Sequence, residues 1–565
     1  MTPAELQGLR KEAVQRFLQS ALLIDDDIEL ISAIDDEPKK ATRSSGSVLT
    51  LEAAVPAASK PAPSVDAGDT SREPLSVKRS ISKNSLDAKA ITDAFLSHSV
   101  ICGIFRPAPN DDAAKMSAGA AAHADIIIVD WYLDRGSSQR AKETVRQLLS
   151  EDARRRGRLR LIVVYTSNPG RSAMATELLA FLNEDKNTAG LFSIRDAVWL
   201  EGPATRIVFI NKSGTTGADQ EQVAEAALPE RLVEEFTRLV DGLLPTFAVS
   251  AIAVVRDAAL HILALFNRSL DGAFVGHRCA LPDPDDADAF AVELLSDELR
   301  NVIETNGIAE TFLGAKAIGA WIAGQPDRIF GDGVAMLGAE LLHATVANGP
   351  TAFNKGKQVK YGDATKGAPT PIKILNIARV FYDDDPSVLA NNKRLARLST
   401  FRNEALGGAP MPQGWVPFLS IGTVLKRLNP SADQPPFLVC FQPACDSVRL
   451  SGDTMFPFQT ARIADGKFHL VLKQELLDEG ALVIVDGKPR DAVMILFTRD
   501  EARKRVFAVK DDGRYIFVDK DENKYQWIGD LKPMKAQSFA SQIGARMHSV
   551  GVDDLEWLRR SQPED

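Results

Sequence analysis

One stretch, Ala124–Leu133 (A-D-I-I-I-V-D-W-Y-L), limits what this chain can fold into more than any other. Ile126, Ile127, Ile128 and Val129 form a short, continuous β-branched run that stops at a carboxylate, Asp130. A run of that length and branching suits a strand buried on both faces, as in a parallel sheet covered by helices. In open α/β sheets the working residues lie just beyond the carboxyl ends of the strands. Asp130 therefore falls where a functional carboxylate is expected, provided that other strand ends bring it partners.

Three further apolar runs supply them. Ala21–Ile24 ends in Asp25-Asp26-Asp27, Leu159–Tyr165 ends in Thr166-Ser167, and Ile207–Ile210 ends in Asn211-Lys212. In chain order, four strands thus finish in an acid pair, a single acid, a hydroxyl and a lysine. Any one of these ends has a plain structural reading, since an acid at a strand end is commonly a helix N-cap. The ordered set of four carries the signal.

This set resembles the receiver domain of bacterial response regulators. It is closer still to the atypical response receiver family, in which a long loop follows the first acid pair and Asp-Trp follows the central strand. The resemblance spans roughly Leu18 to Gly217. It implies an α/β domain with a flavodoxin-like, doubly wound, five-stranded parallel sheet. It also implies a phosphoacceptor, Asp130, and a Mg²⁺ site formed by Asp25, Asp26, Asp130 and the backbone carbonyl of Tyr132. Lys212 would neutralise one phosphoryl oxygen and Thr166 would hydrogen-bond another. Phe209, three residues before the lysine, would be the switch aromatic, and a histidine kinase would be the phosphodonor.

The residue types suit that chemistry. Phosphoryl transfer to a carboxylate brings two negative groups together, so positive charge must be in place beforehand. Mg²⁺ takes one or two carboxylates plus phosphate oxygens and keeps several waters. A new phosphoryl group, with nearly two charges, can draw a hydroxyl-bearing loop towards it. Two positions depart from the family pattern: Ser213 stands where proline usually follows the lysine, and Ser167 where alanine usually follows the threonine. A degenerate receiver, keeping the fold without accepting phosphate, is the competing reading.

At 565 residues the chain exceeds one core, and about three or four domains are expected. Its net charge of −9 gives no bulk attraction to nucleic acid or anionic membrane. Four cysteines make no disulfide framework, which fits a reducing cytoplasm. The N-terminus lacks the basic and apolar regions of a signal peptide. The longest apolar segment, Leu243–Val255 continued by Ala258–Phe266, is interrupted by Arg256-Asp257 and is read as a buried or dimer-forming helix, with no membrane partner.

The expected organisation is a receiver-like domain over 1–218, a helical dimerisation or linker region over 219–310, a locally basic helical region over 311–405 and a β-rich α+β domain over 406–565. Residues 1–20 read as a short amphipathic helix. Within the receiver, 36–84 is Ser/Ala/Pro/Lys-rich and expected to be a disordered insertion. Helical patterns follow at Gln220–Ala227, Glu230–Val240, Ala287–Glu304, Ala309–Ala323 and Val334–Ala347. His343, on an apolar face of the last, reads as a core residue.

Phe353–Arg402 holds ten basic against four acidic residues. Within it Lys393, Arg394 and Arg397 would share a helix face, a nucleic-acid contact surface if not simply a solvated one. From Trp415 onward short β-rich runs recur, closed by a helix over about Pro533–His548. The C-x4-C spacing of Cys440 and Cys445 lacks the second ligand pair zinc needs, and His469 and His548 are too scattered to supply one.

The function expected is phosphorelay signalling: a cytoplasmic protein, as a homodimer if the helical region pairs, accepts a phosphoryl group on Asp130. It is not an enzyme beyond its self-catalysed phosphorylation. Two alternatives stay open, a phosphorylation-regulated effector with an enzymatic or nucleic-acid-binding C-terminal half, and a scaffold with a degenerate receiver.

Overall fold

The computed structural model describes residues 1–29, 86–109, 111–134, 136–154, 158–217, 222–284, 286–325, 328–330, 335–337, 378, 381–382, 385–404, 414–463, 468–472, 482–485, 487–488 and 491–547. The 36–84 insertion, His343, His548 and most of the basic run between Lys355 and Lys373 lie outside them. Two compact units emerge. One comprises 18–149 with 159–239; the other comprises 1–17, 150–158 and 240–565.

The first unit is built on five parallel strands: Ser20–Ile24, Ile101–Phe105, Ile126–Val129, Arg160–Thr166 and Thr205–Lys212. They lie side by side in the order second, first, third, fourth, fifth, the flavodoxin-like order of doubly wound sheets. All four residues of Ile126–Val129 are buried, as a strand covered on both faces requires. Alternate residues Ile127, Val129, Ile162, Val164, Ile207 and Phe209 enter one core with Leu148, Leu178 and Leu182 of the covering helices. Each fully buried aliphatic side chain of this kind contributes about 1.5–3 kcal/mol. Register then fixes where the strands end: Ile24 lies opposite both Phe105 and Val129, Val129 opposite Val164, and Val164 opposite Phe209. The residues that follow therefore gather along one rim.

The sheet is wider than the five strands expected. An antiparallel hairpin, Ser193–Arg195 with Trp199–Glu201, pairs with the outer edge of the fifth strand, and Gln222–Val223 pairs parallel with its end, giving eight strands in all. These additions cover a row of backbone groups that an edge strand would leave open. They also replace the helix expected over Gln220–Ala227, where the chain makes that short strand and a 3₁₀ turn, Glu225–Ala227. Helix resumes at Leu228–Leu239.

In the second unit, Pro3–Phe17 packs on the long helix Leu243–Leu265. That helix runs unbroken through Arg256-Asp257, because both charges are satisfied locally. Arg256 donates to the carbonyl of Phe17, and Asp257 accepts from Arg16. Its length and composition would allow it to cross a membrane. Here it carries partners instead: Ala251 and Val254 pack with Ala13, Ile308 and Phe312.

The single helix expected over Ala309–Ala323 is two, Ile308–Leu313 and Ala315–Ala323. Gly314 between them takes an extended conformation, and a Cβ there would stand 2.3 Å from the carbonyl oxygen of Glu310. The start of the helix expected at Val334–Ala347 is instead a strand, Ala335–Leu337, paired antiparallel with Arg328–Phe330.

Among the described residues the C-terminal part is a ten-stranded antiparallel sheet with a hydrophobic core on each face. Its longest strand, Thr454–Ile463, contains Pro457. Proline argues against a strand interior, but Pro457 lies one residue beyond the pairing of Phe437–Cys440 and gives only its carbonyl, to Phe441 N–H at 3.1 Å. The closing helix Pro533–Met547 buries Ala536, Phe539 and Ile543.

Candidate functional site

The rim of the parallel sheet collects the strand-end residues. Asp25 and Asp130 follow adjacent strands; Asp25 N–H donates to Phe105 O at 3.2 Å and Asp130 N–H to Ile24 O at 3.0 Å. Lys212 reaches back across the rim from the fifth strand. Its Nζ donates to Asp25 Oδ2 at 2.8 Å and stands 3.2 Å from Asp130 Oδ1. All three side chains are nearly closed off from solvent, so this is a buried, three-membered charge cluster drawn from three separate strands.

Backbone donors fix both acids. Asp25 Oδ1 accepts from Asp27 N–H at 2.8 Å, and Asp130 Oδ2 from Tyr132 N–H at 3.1 Å. Arg106 clamps the acid loop by donating to the carbonyls of Asp26 and Ile28. Just beyond, Ile28–Glu29 pairs in parallel with Leu86–Asp87.

The electrostatics follow from burial. Loss of water pushes the Asp25 carboxyl up, with Asp130 adding to the rise and Lys212 opposing it. Asp26 is half-buried and is raised by burial and by the charge on Asp130. For Lys212, burial works against the charged form, yet Asp130 and Asp25 outweigh it and hold the amine above its ordinary value. Three carboxylates and one ammonium leave the pocket short of positive charge, and this donor set fits Mg²⁺. Among the described residues no three His, Cys, Asp or Glu side chains close into a metal cage. An ion that completes its shell with waters and phosphate oxygens needs no closed cage of side chains.

The remaining predicted residues fall as follows. Thr166 is buried at the end of the fourth strand, where its Oγ1 accepts from Asn168 N–H at 3.3 Å. Phe209 is buried and meets Trp131 edge-on, with ring centroids 6.1 Å apart. Tyr132 is partly exposed, and its hydroxyl accepts from Asn168 Nδ2 at 2.8 Å. Lys393, Arg394 and Arg397 belong to another element, the helix Asp385–Thr400, where Leu395 and Leu398 are exposed beside them.

Sequence reasoning did not single out Arg106, Asn168, Asn211 or Tyr165. Asn211 Nδ2 donates to the carbonyls of Thr166 and Asn168, holding the loop after the fourth strand. Tyr165 lies under the Lys212 ammonium, 5.8 Å from nitrogen to ring centroid. Asn211, beside the lysine in a strand-end pair, was the one with a visible signal.

Residues 17–217, somewhat over a third of the chain, match the family model described as "Response receiver domain". No curated protein and no solved structure matches the chain. The strand order, the rim of acids and the bridging lysine are what a match to a response receiver domain over 17–217 calls for.

Proposed function

We propose that this chain is a phosphorelay protein whose receiver accepts a phosphoryl group on Asp130 from a histidine kinase. Membership of residues 17–217 in the receiver family implies phosphorelay signalling in general terms. The observation that carries the specific reading is the Lys212 ammonium lying within 2.8 Å of Asp25 and 3.2 Å of Asp130. An acceptor carboxylate needs a cation already beside it, and here the cation is immobilised by burial.

In this reading an oxygen of Asp130 forms the new O–P bond as the P–N bond to the kinase histidine breaks. The leaving imidazole takes up a proton from solvent. Tyr132 N–H orients the acceptor through Oδ2, Lys212 offsets charge on the phosphoryl oxygens, and the Thr166 hydroxyl supplies a further hydrogen bond. Asp25, Asp26, Asp130 and the Tyr132 carbonyl would hold Mg²⁺, which when bound neutralises charge between acceptor and phosphoryl group. Phe209, packed on Trp131 next to the acceptor, is the aromatic whose packing responds. The C-terminal region is the output module, the protein works in the cytoplasm, and its catalysis is confined to its own phosphorylation. The exposed Leu260, Leu263, Leu270 and Val275 are the surface through which it self-associates.

The test is labelling of the full chain by acetyl phosphate. Label that depends on Mg²⁺ and disappears in Asp130→Asn is expected. Absence of label in the wild type, or label that survives Asp130→Asn, overturns the assignment in favour of a degenerate receiver.

A further inference from the structure

A second charged site lies in the same compact unit as the rim, where the receiver sheet meets the helix that follows it. A cavity of about 520 Å³ opens where the added hairpin meets the fifth strand and the helix Leu228–Leu239. Its walls include Arg171, Arg206, Arg231, Arg238, Trp199 and Phe209. Among the described residues, Asp196 and Glu235 are the acidic side chains that line it.

Glu235 is buried and takes three of the four guanidiniums: Arg206 at 2.8 Å, Arg231 at 2.8 Å and Arg238 at 2.5 Å. The Arg206 guanidinium also stands over the Trp199 ring, 3.5 Å from its centroid. Arg231 also reaches Glu234 at 3.3 Å, so two carboxylates serve these three cations, which still outnumber them. Arg206 is nearly buried, whereas Arg231 and Arg238 keep part of their side chains open to solvent at the cavity. The edge of the strand is also discontinuous here. The hairpin pairs with Arg206–Val208 and Gln222–Val223 pairs with Asn211–Lys212. Among the described residues, Phe209 and Ile210 fall between these pairings, and both line the cavity.

We infer that this cavity binds a small molecule bearing a phosphate group. Guanidiniums match phosphate with paired, charge-assisted hydrogen bonds, and the volume is that of a small-molecule site. Arg231 and Arg238 are the more exposed of the three on Glu235, and they turn to the ligand while Arg206 keeps Glu235 paired. The inference goes beyond the phosphoacceptor reading and does not depend on it.

Isothermal titration of the full chain at low salt, with EDTA present, tests it using AMP, pyrophosphate and uncharged adenosine. Binding of AMP or pyrophosphate is expected, with adenosine silent; AMP alone indicates a nucleotide and pyrophosphate alone an inorganic source. In the double variant Arg231→Met, Arg238→Met the affinity should fall by about tenfold or more for each lost phosphate contact, the scale of a charged hydrogen bond. The Asp130→Asn variant should bind as the wild type does, separating this site from the rim. Failure of both phosphate compounds to bind at millimolar concentration overturns the proposal. So does binding that persists in a folded arginine variant, or binding lost in Asp130→Asn.

Discussion

Replacing Lys212 with methionine keeps an unbranched side chain, one atom shorter, and removes the charge and the hydrogen bond to Asp25. In the native site the amine serves two acids, Asp25 at 2.8 Å and Asp130 at 3.2 Å, with little access to water. Removing one partner of a buried ion pair costs about 3–5 kcal/mol. The lower end applies here, since Asp25, already raised by burial, can take up a proton in the variant. For a domain of this size, ~3 kcal/mol corresponds to a fall of about 6–12 °C in melting temperature.

The sign of the pH dependence follows from Asp25. A carboxyl whose folded value is raised contributes stability that is complete below its unfolded value and lost as pH rises through the folded value. The variant raises Asp25 further, so its deficit should widen as pH rises above about 6. Mg²⁺ at a hundredfold excess over its dissociation constant adds about 2.7 kcal/mol, and at a pH high enough to ionise Asp25 it should stabilise the variant more than the wild type, because the variant's site is then more negative. Thermal melts with and without Mg²⁺ check this, and hydrogen exchange in peptides spanning 20–27 and 124–133 assigns the change to the rim. Equal melting of the two proteins without metal, or an identical response to Mg²⁺, refutes the electrostatic account.

Three further outcomes are expected. Asp530 accepts from the Thr423 hydroxyl at 3.0 Å and from Trp527 Nε1 at 3.3 Å, and burial pushes its carboxyl up to about 6. Its contribution is complete below about pH 4 and lost through pH 6, up to about 3 kcal/mol. Asp530→Asn should therefore gain on the wild type as pH rises from 4.5 to 7.5, and a pH-independent difference in denaturant melts counts against this. Gly314→Ala places a Cβ against Glu310 O and should cost about 1–3 kcal/mol, read as a lower melting temperature; unchanged melting shows that the bend is not needed. Leu260 and Leu263 are 80% and 64% exposed, and Leu260→Glu with Leu263→Glu should convert a dimer to a monomer in light scattering, an idea that a monomeric wild type would end.

The rim was legible because each strand announces itself by an apolar run and its end by an abrupt polar residue. Asp25, Asp130 and Lys212 could be named from that alone, since register does the rest once the strands are parallel. The clamp by Arg106 was not legible, because its partners are backbone carbonyls some eighty residues away in sequence. The hairpin was hidden for another reason. Its turn puts Asp196 and Ala197 at φ of 46° and 58°, and no glycine marks a conformation that usually asks for one. Pro457 concealed the longest C-terminal strand because its lost N–H matters only where a neighbour would have used it.

The small parallel clasp of Ile28–Glu29 with Leu86–Asp87 sets the exit and return of residues 30–85 side by side. Because Arg106 fastens the base of that excursion, its length can change without tugging on Asp25 or Asp26, and closure entropy grows only slowly with added chain. The receiver thus carries a port beside its acids, open to graft or excision, where a short Gly/Ser bridge or a fluorescent reporter could be spliced while the rim keeps its charge.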